Sequence, residues 1–343
     1  MTVENPPITV NVVSESAFTV QGHGVHSAFA DSVDALGTLS DLSVVTNGLR
    51  QADVTHIHTV GPVSLAALLR ANSSVVTAHI TADSLVGSVI GGQLLASLFR
   101  PYLRWFYNRA DVVLSLNGGQ VAELRREGVT SEIIVLRTGI SPRVLPSRTQ
   151  ARAMLGIGDK ECIVLSVGQV QPRKAVNSFH HAATEVPEAC FLWVGGFPFG
   201  PLTADYRKMR ELVRSGPGNV THLGQLPRAT VQLYYAAADV YFHPSHQEHA
   251  PISVLEAASA GLPLVLRDID CYRHLYPGLY LAATDASFTT QIRRLLTKPT
   301  LYLEMVRRSG EIASLHSSSQ AANELADFYQ ELIDKRYRAS IEA

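Results

Sequence analysis

Short apolar runs alternate along the chain with longer segments of helical periodicity. The runs of the first half are rich in β-branched residues and do not alternate apolar with polar positions, which is typical of strands buried on both faces. These predicted strands are Ile8–Ser14, Leu42–Thr46, Val54–His58, Val75–His79, Val112–Leu116 and Ile133–Leu136. Segments between them, such as Ser27–Gly37 and Gln120–Gly128, have helical patterns. The alternation predicts a parallel sheet covered by helices on both faces.

A second series of strands and helices follows a break at residues 138–148, TGISPRVLPSR, whose turn formers predict a linker. Its predicted strands are Cys162–Val167, Phe191–Val194, Val220–Leu223, Val240–His243 and Leu264–Leu266, and a helical pattern over Ala321–Arg338 comes last. We therefore predict an α/β protein of two Rossmann-like, doubly wound parallel-sheet domains that face a central cleft. The predicted domains are residues 1–145, joined by the final helix 318–343, and residues 149–317.

Composition narrows the class of protein. With 343 residues, of which 46% are hydrophobic and 17% charged, the chain can bury two cores. A net charge of −1 gives no overall attraction to nucleic acid. No apolar run reaches the roughly 18 residues that a membrane span needs, and the first residues lack the basic charge of a secretory signal. We expect a cytoplasmic protein whose membrane contact, if any, is peripheral.

Two glutamates follow the predicted strand Val240–His243, within HPSHQEHAPISVLEAASAGLP. Glu248 lies in the loop and Glu256 in the next helix. A carboxylate only accepts hydrogen bonds and can receive two from the vicinal hydroxyls of a ribose. On these residues alone, two solvated surface charges are an equally good interpretation.

Two further segments have the composition of anion-binding sites. Arg173 and Lys174, in VGQVQPRK, follow a predicted strand and Gly168 and precede the predicted helix Ala175–Thr184. A planar guanidinium and an ammonium beside a helix N-terminus suit a diphosphate. Gly22 and Gly24, in QGHGVH, follow the first strand and let backbone approach a ligand. Taken singly, each segment is also consistent with an ordinary exposed turn.

Together these motifs resemble the Glu-x7-Glu pattern of the retaining GT-B glycosyltransferases of family 4, with the family's Pro-Ser lead-in and Glu-Ala-x3-Gly-x-Pro tail. The segments VGQVQPRK, FLWVGGFPFG and LPLVLRDIDCY resemble the 1,2-diacylglycerol 3-α-glucosyltransferases within it. The resemblance implies that Glu248 contacts the donor sugar and that Glu256 binds the nucleotide ribose. The donor-binding residues it implies are Gly22, Gly24, Gly168, Arg173, Lys174, Glu248, Ile252 and Glu256.

His79 ends a predicted strand in TAHITAD, which resembles the family's strand ending in His. The resemblance implies that His79 faces the donor sugar near the reaction centre, although a histidine at a strand end is more often structural. It gives the catalytic set His79, Glu248, Arg173 and Lys174. His56 and His58 are interpreted as structural residues that line the cleft.

The chain departs from the family pattern at three positions and contains one acidic pair. Pro251 and Ala175 replace usual glycines, and Thr138 replaces a usual asparagine. Proline has no N–H to offer a ligand, so donor affinity or sugar choice is expected to differ. Asp268 and Asp270 form a DxD that we interpret as structural. The resemblance implies a UDP-linked donor, and we expect no metal and no other cofactor.

Residues 94–109 have an amphipathic helical pattern. Leu95, Phe99, Tyr102 and Phe106 share one side, and Arg100 and Arg104 lie opposite. Aromatic and basic residues in this arrangement predict a helix that lies on an anionic membrane surface. A helix packed on its own domain's core is an equally good interpretation.

The resemblance therefore implies retaining transfer of a hexosyl group from a nucleotide sugar, UDP-glucose, to diacylglycerol, and we expect this at the inner face of the cell membrane. No covalent intermediate is expected, because no carboxylate pair has the pattern of a retaining glycosidase. Alternatives are a related enzyme that uses UDP-glucuronate, GDP-mannose or an already glycosylated lipid acceptor. From a different class, a catalytically silent protein that binds sugar or lipid also remains.

Overall fold

The chain folds into two compact units. The computed structural model describes residues 6–17, 24–141 and 143–342. The first unit consists of Met1–Ala82, Ser97–Ser141 and His316–Ala343, and the second of Asp83–Ala96 and Pro142–Leu315. Residues 83–96 thus group with the second unit, although they precede the linker in the sequence.

The first unit is a six-stranded parallel sheet of order β2-β1-β3-β4-β5-β6. Its strands are β1 (Ile8–Val13), β2 (Leu42–Thr46), β3 (Val54–Ile57), β4 (Ser74–Thr77), β5 (Val112–Ser115) and β6 (Glu132–Val135). The helices between them are α1 (Gly24–Leu36), α2 (Pro62–Arg70), α3 (Gly92–Tyr107) and α4 (Gly118–Arg126). Every residue of the three central strands β3, β4 and β5 is buried, as their apolar composition predicts.

The second unit repeats this architecture with the strand order β12-β11-β10-β7-β8-β9. Its strands are β7 (Ile163–Val167), β8 (Cys190–Val194), β9 (Val220–Gly224), β10 (Val240–His243), β11 (Leu264–Arg267) and β12 (Leu281–Ala283). Its helices are α5 (Arg148–Leu155), α6 (Val176–Glu185), α7 (Tyr206–Arg214), α8 (Arg228–Ala237), α9 (Ile252–Ser259), α10 (Asp270–Leu275), α11 (Phe288–Thr297) and α12 (Pro299–Leu315). Phe179, Trp193 and Phe242 form the aromatic centre of its core.

The last helix, α13 (Ser318–Glu342), belongs to the first unit. Its Leu325, Phe328 and Tyr329 complete the core that β1 and α1 begin. The Tyr329 hydroxyl also hydrogen-bonds Nδ1 of His56 on β3, at 2.6 Å. The last helix in the sequence thus packs against the sheet that contains the first strand.

The helix predicted at residues 94–109 is present as α3, but the predicted lipid-facing side is partly wrong. Phe106 is fully buried in the first unit and cannot enter a lipid interface. Leu95 and Tyr102 are half-buried, and Phe99, Arg100 and Arg104 are exposed. The exposed apolar side consists of Leu94, Leu98, Pro101 and Trp105. Among the described residues, no helix has the length and apolar character needed to cross a membrane.

Candidate active site

The basic pair lies at the carboxyl end of β7, in a 3-10 turn over Pro172–Lys174. The carbonyl oxygen of Arg173 accepts hydrogen bonds from the His246 N–H at 2.8 Å and from the Ser245 hydroxyl at 3.1 Å. Both donors belong to the loop after β10, which is the neighbour of β7 in the sheet. Because parallel strands end on the same edge, the fold brings the two predicted motifs together there.

Glu248 is the centre of this cluster. Its buried carboxylate forms an ion pair with Lys174 Nζ and accepts from Nε2 of His243 at 3.0 Å, and Arg173 Nη1 is 4.0 Å away. Burial alone would raise the pKa of Glu248, but Lys174 and the His243 hydrogen bond hold it well below its usual range. The carboxylate is therefore ionised at neutral pH.

Lys174 experiences opposing influences. Burial lowers the pKa of its ammonium, Glu248 opposes this effect and the nearby Arg173 adds to it, and together they leave the pKa at about 8. Burial likewise lowers the pKa of His243. The site therefore holds the guanidinium of Arg173 beside a Lys174 ammonium whose pKa of about 8 lies well below that of an exposed lysine.

Glu256 occupies the second turn of α9, and α8 supplies its partners. Arg228 Nη2 lies 3.2 Å from Oε1, and the Tyr235 hydroxyl donates to Oε2 at 3.2 Å. Only 12% of the Glu256 side chain is exposed. Ile252, the first residue of α9, is buried, and Pro251 precedes it as the N-cap. The two motif glutamates thus lie on one continuous loop and helix, each held by its own cation.

Gly168 directly follows β7 and lies beside the cluster. Its carbonyl oxygen accepts from the indole N–H of Trp193 at 2.9 Å, and a side chain at its position would approach His243 and Lys174. Gly195 is required by geometry, because its φ is +132° and a Cβ there would lie 2.0 Å from the Gly168 oxygen. The two glycines let the strand ends β7 and β8 approach each other closely.

The remaining catalytic candidate, His79, is in the first unit. It follows β4, and its Nε2 lies 3.1 Å from Nδ1 of His58, with the two rings stacked. Burial and the neighbouring histidines hold the pKa of His58 well below its usual range, so this imidazole is neutral. A pocket lined by both rings opens at the carboxyl ends of β3 and β4, under α1 and α13. Gly24 is the first residue of α1, and Gly22 lies outside the described residues.

The acidic pair Asp268 and Asp270 is bound by a neighbour. Arg273 donates to Asp268 at 2.7 Å and to Asp270 at 2.6 Å.

The sequence interpretation had not included His243, Arg228 or Tyr235, which hold the two motif glutamates. His243 does stand at the end of a predicted strand, five residues before Glu248, and that position was an available signal.

Comparison with known proteins assigns the family. Residues 11–144 match the profile described as Glycosyltransferase Family 4, and residues 147–311 match the profile Glycosyl transferases group 1. The chain belongs to glycosyltransferase family 4. This glycosyltransferase is a hexosyltransferase, as we predicted from its motifs.

Two relatives match this glycosyltransferase over nearly its whole length. The alpha-galactosylglucosyldiacylglycerol synthase of Streptococcus pneumoniae is 29% identical over 340 residues, covering 96% of this chain and 91% of the relative. The processive diacylglycerol alpha-glucosyltransferase of Acholeplasma laidlawii is 22% identical, covering 94% of this chain and 98% of the relative.

Solved structures give the fold of this glycosyltransferase. Sucrose-phosphate synthase from Thermosynechococcus elongatus superposes with a TM-score of 0.75 at 17% identity, over 96% of this chain and all of that one. Anabaena HepE in complex with UDP-glucose gives 0.74 at 16% identity, over 94% of this chain and all of that one. These likenesses confirm the predicted GT-B fold.

Proposed function

We propose that this glycosyltransferase moves a hexosyl group, with retention of configuration, from UDP-glucose to diacylglycerol. The observation that carries the proposal is the buried cluster of Glu248, Lys174 and Arg173 at the carboxyl ends of β7 and β10. A sugar diphosphate needs positive charge at its phosphates and hydrogen-bond acceptors at its hydroxyls, and this cluster offers both. The names of the two full-length relatives support a lipid acceptor, and the HepE complex supports a UDP-sugar donor.

Each site residue receives a role in the proposal. Arg173 and Lys174 bind the diphosphate, with Gly168 beside them, and Glu248 accepts from the sugar hydroxyls. Glu256 accepts from the two ribose hydroxyls, next to Ile252. His79 contributes from the first unit, together with Gly22 and Gly24. We assign no cofactor besides the donor.

Stabilisation of the leaving group is the main catalytic effect that we propose. The bond between the anomeric carbon and the diphosphate oxygen breaks, and its electron pair stays on the diphosphate. The acceptor hydroxyl oxygen then bonds to the same face of that carbon, and the hydroxyl proton leaves with the diphosphate. Since negative charge on the diphosphate is greatest in the transition state, replacing Arg173 or Lys174 by Ala lowers kcat more than it raises the donor KM.

A second candidate has an already glycosylated lipid as its acceptor. The name of the Streptococcus pneumoniae relative, 29% identical over 340 residues, contains a galactosyl-glucosyl headgroup. On that pattern the chain would add galactose to glucosyldiacylglycerol. The Pro251 N-cap, in place of the family's usual glycine, is where a difference in sugar choice would originate.

We also propose that α3 lies on an anionic membrane surface at the inner face of the cell membrane. Leu94, Leu98 and Trp105 are its exposed apolar side, and Arg100 and Arg104 are exposed beside them. Apolar tips enter the acyl boundary while the guanidinium groups remain at the phosphates. The enzyme would then lie at the membrane that contains its lipid acceptor.

The deciding experiment is a matrix of donors and acceptors. Purified protein is incubated with UDP-glucose, UDP-galactose, UDP-glucuronate or GDP-mannose, and with vesicles containing diacylglycerol or glucosyldiacylglycerol. Mass spectrometry identifies the lipid product, and the anomeric coupling in its proton NMR spectrum tests retention. UDP-glucose with diacylglycerol is expected to give the α-glucoside. Product only from glucosyldiacylglycerol selects the second candidate, and no product in any combination supports a catalytically silent protein.

A further inference from the structure

Four large apolar side chains are exposed together on the second unit. Their exposed fractions are 57% for Ile90, 67% for Leu94, 42% for Phe199 and 68% for Leu202. The Ile90 N–H donates to the Leu202 carbonyl at 2.9 Å, so the two segments that carry these residues run side by side. We call these four residues the apolar patch. Monomer surfaces rarely expose large apolar side chains contiguously unless a partner covers them.

The backbone beneath the apolar patch is held by specific contacts. Val89 and Thr203 form an antiparallel bridge, and the Ala204 N–H donates to the Ser88 carbonyl at 3.1 Å. Thr203 and Ala204 are buried under the patch. The exposure of the four apolar side chains is therefore fixed by the packing of their neighbours.

A strongly basic helix follows the patch directly. α7 begins four residues after Leu202, and its Tyr206 ring packs edge-on against Phe197 at 5.0 Å. Residues 205–214 contain four basic residues and two acidic ones. Of these, Arg207, Lys208 and Arg210 are exposed and make no ion pair with any described residue. In a chain with a net charge of −1, this is a local concentration of positive charge.

We propose that the apolar patch and the cations of α7 form a second membrane-contacting surface, on the donor-binding unit, that docks on an anionic bilayer. Apolar tips beside unpaired cations match an interface with acyl chains below and lipid phosphates above. Leu94 is also the third residue of α3. The inference rests on the proposed function, since a lipid acceptor requires contact with the membrane.

The patch is also connected to the proposed diphosphate site. Ser88 lies two residues before Ile90, and its hydroxyl accepts from Nε of Arg173 at 3.0 Å. The Ser88 carbonyl accepts from the amide of Gln171 at 3.2 Å as well as from Ala204. Arg173 is thus connected to Ile90 of the patch through Ser88 and Val89, and docking of the patch would bring it close to the lipid surface.

The test is co-sedimentation of the full-length chain with vesicles of phosphatidylglycerol and phosphatidylcholine. Leu202→Ser removes an apolar tip, and Leu303→Ser is its matched control, with 67% exposure on α12 of the same unit. We expect Leu202→Ser to weaken vesicle binding severalfold at low and high salt, and Leu303→Ser to leave it unchanged. The double variant Arg207→Glu, Lys208→Glu is expected to lose roughly tenfold or more in vesicle binding at low salt and much less at high salt. Its charge control is Lys160→Glu, Lys298→Glu, at two exposed lysines of the same unit.

Several results would overturn the proposal. Equal vesicle binding by Leu202→Ser and Leu303→Ser would remove the patch from the membrane surface. A change in oligomeric state caused by Leu202→Ser, measured by light scattering without any loss of vesicle binding, would make the patch a protein interface instead. Transfer to a short-chain, water-soluble diacylglycerol tests the proposed function separately. Leu202→Ser retains that activity if only docking is lost, whereas inactive wild-type protein would contradict the proposed function and leave the vesicle result intact.

Discussion

Glu248 shows how single residues set the chemistry of the site. A buried carboxylate is costly unless it is paired, and here Lys174 and His243 both contact the same oxygen, Oε1. The cost of burying each charged group is offset by the other. A bound sugar diphosphate would compete for Lys174 and free part of the Glu248 carboxylate for the sugar hydroxyls.

Glu256→Ala tests the proposed ribose contact. Loss of a mostly buried carboxylate acceptor is expected to weaken UDP binding by about 2–3 kcal/mol, one to two decades in Kd. Isothermal titration calorimetry measures the affinity. Arg228 and Tyr235 lose a partner as well, so a thermal melt must show that the variant is folded. A folded variant with unchanged UDP affinity would remove Glu256 from the site.

The pKa of Lys174 predicts how donor affinity depends on pH. Burial lowers this pKa to about 8 in the free protein, and a bound diphosphate favours the protonated ammonium. We therefore expect UDP to bind with its full affinity below pH 8. Above pH 8 the affinity should fall, by up to about tenfold per pH unit. Calorimetry from pH 7 to 9 measures this decline. Lys174→Met should bind more weakly at pH 7 and show a flatter profile, and a flat profile in the wild type would contradict the assignment.

At this scale the sequence identifies the charged residues of the proposed site better than their contacts within the protein. Glu248, Glu256, Arg173 and Lys174 stand in a recognisable spacing. Arg228 precedes Glu256 by 28 residues and joins it only through the packing of α8 on α9. No local pattern encodes such a pair.

Ala175 shows the same limit. Its φ of +55° is in the left-handed region, which explains why the family usually has glycine there. An alanine in this conformation costs about 1 kcal/mol or more.

Among the elements, α3 shows that the position of a helix can be predicted without predicting which of its sides is buried. The periodicity placed the helix correctly, at Gly92–Tyr107. It did not identify the inner side, because apolar residues occur both on the buried side, with Leu103 and Phe106, and on the exposed side, with Leu98 and Trp105. A repeat of three and four residues fits either stripe.

A pair of substitutions on α3 distinguishes the two sides. Phe106→Ser is expected to destabilise the first unit by about 3–5 kcal/mol, because it empties a fully buried aromatic site. Leu98→Ser, on the exposed side, should leave the melting temperature within a few degrees of the wild type and reduce vesicle binding. Thermal melts and vesicle co-sedimentation of both variants measure this. A stable Leu98→Ser variant that still binds vesicles fully would contradict the membrane role of α3.

The strands were predicted more accurately than the helix faces. Their β-branched composition and burial on both faces produce continuous apolar runs. Of the twelve strands in the part of the chain that the structure describes, eleven were placed within one or two residues. The missed strand, β12, has only the residues Leu281–Ala283 at the edge of its sheet. An edge strand with one neighbour needs few apolar residues, so its composition carries little signal.

At the scale of the whole molecule, two similar sheets carry different chemistry. The second unit holds the charged cluster at Glu248, and the first holds the buried, neutral His56 and His58 and receives α13 at its core. Sequence periodicity predicts both sheets, because each strand and helix is a local pattern. It does not predict that residues 83–96 group with the second unit, since that depends on contacts such as Ser88 with Arg173.

The chain has two tryptophans, and each reports on one unit: Trp105 on the first and Trp193 on the second. With Trp105→Phe, the remaining Trp193 fluorescence follows unfolding of the second unit, where we propose that the donor binds. UDP at 100 times its Kd is expected to stabilise this unit by about 2.7 kcal/mol and to raise the midpoint of that transition.

With Trp193→Phe, the exposed Trp105 should shift its emission to shorter wavelength on addition of anionic vesicles, since the indole enters a less polar layer. UDP alone should leave that emission unchanged. A response of Trp105 to UDP and not to vesicles would contradict both the membrane role of α3 and the division of ligands between the two units.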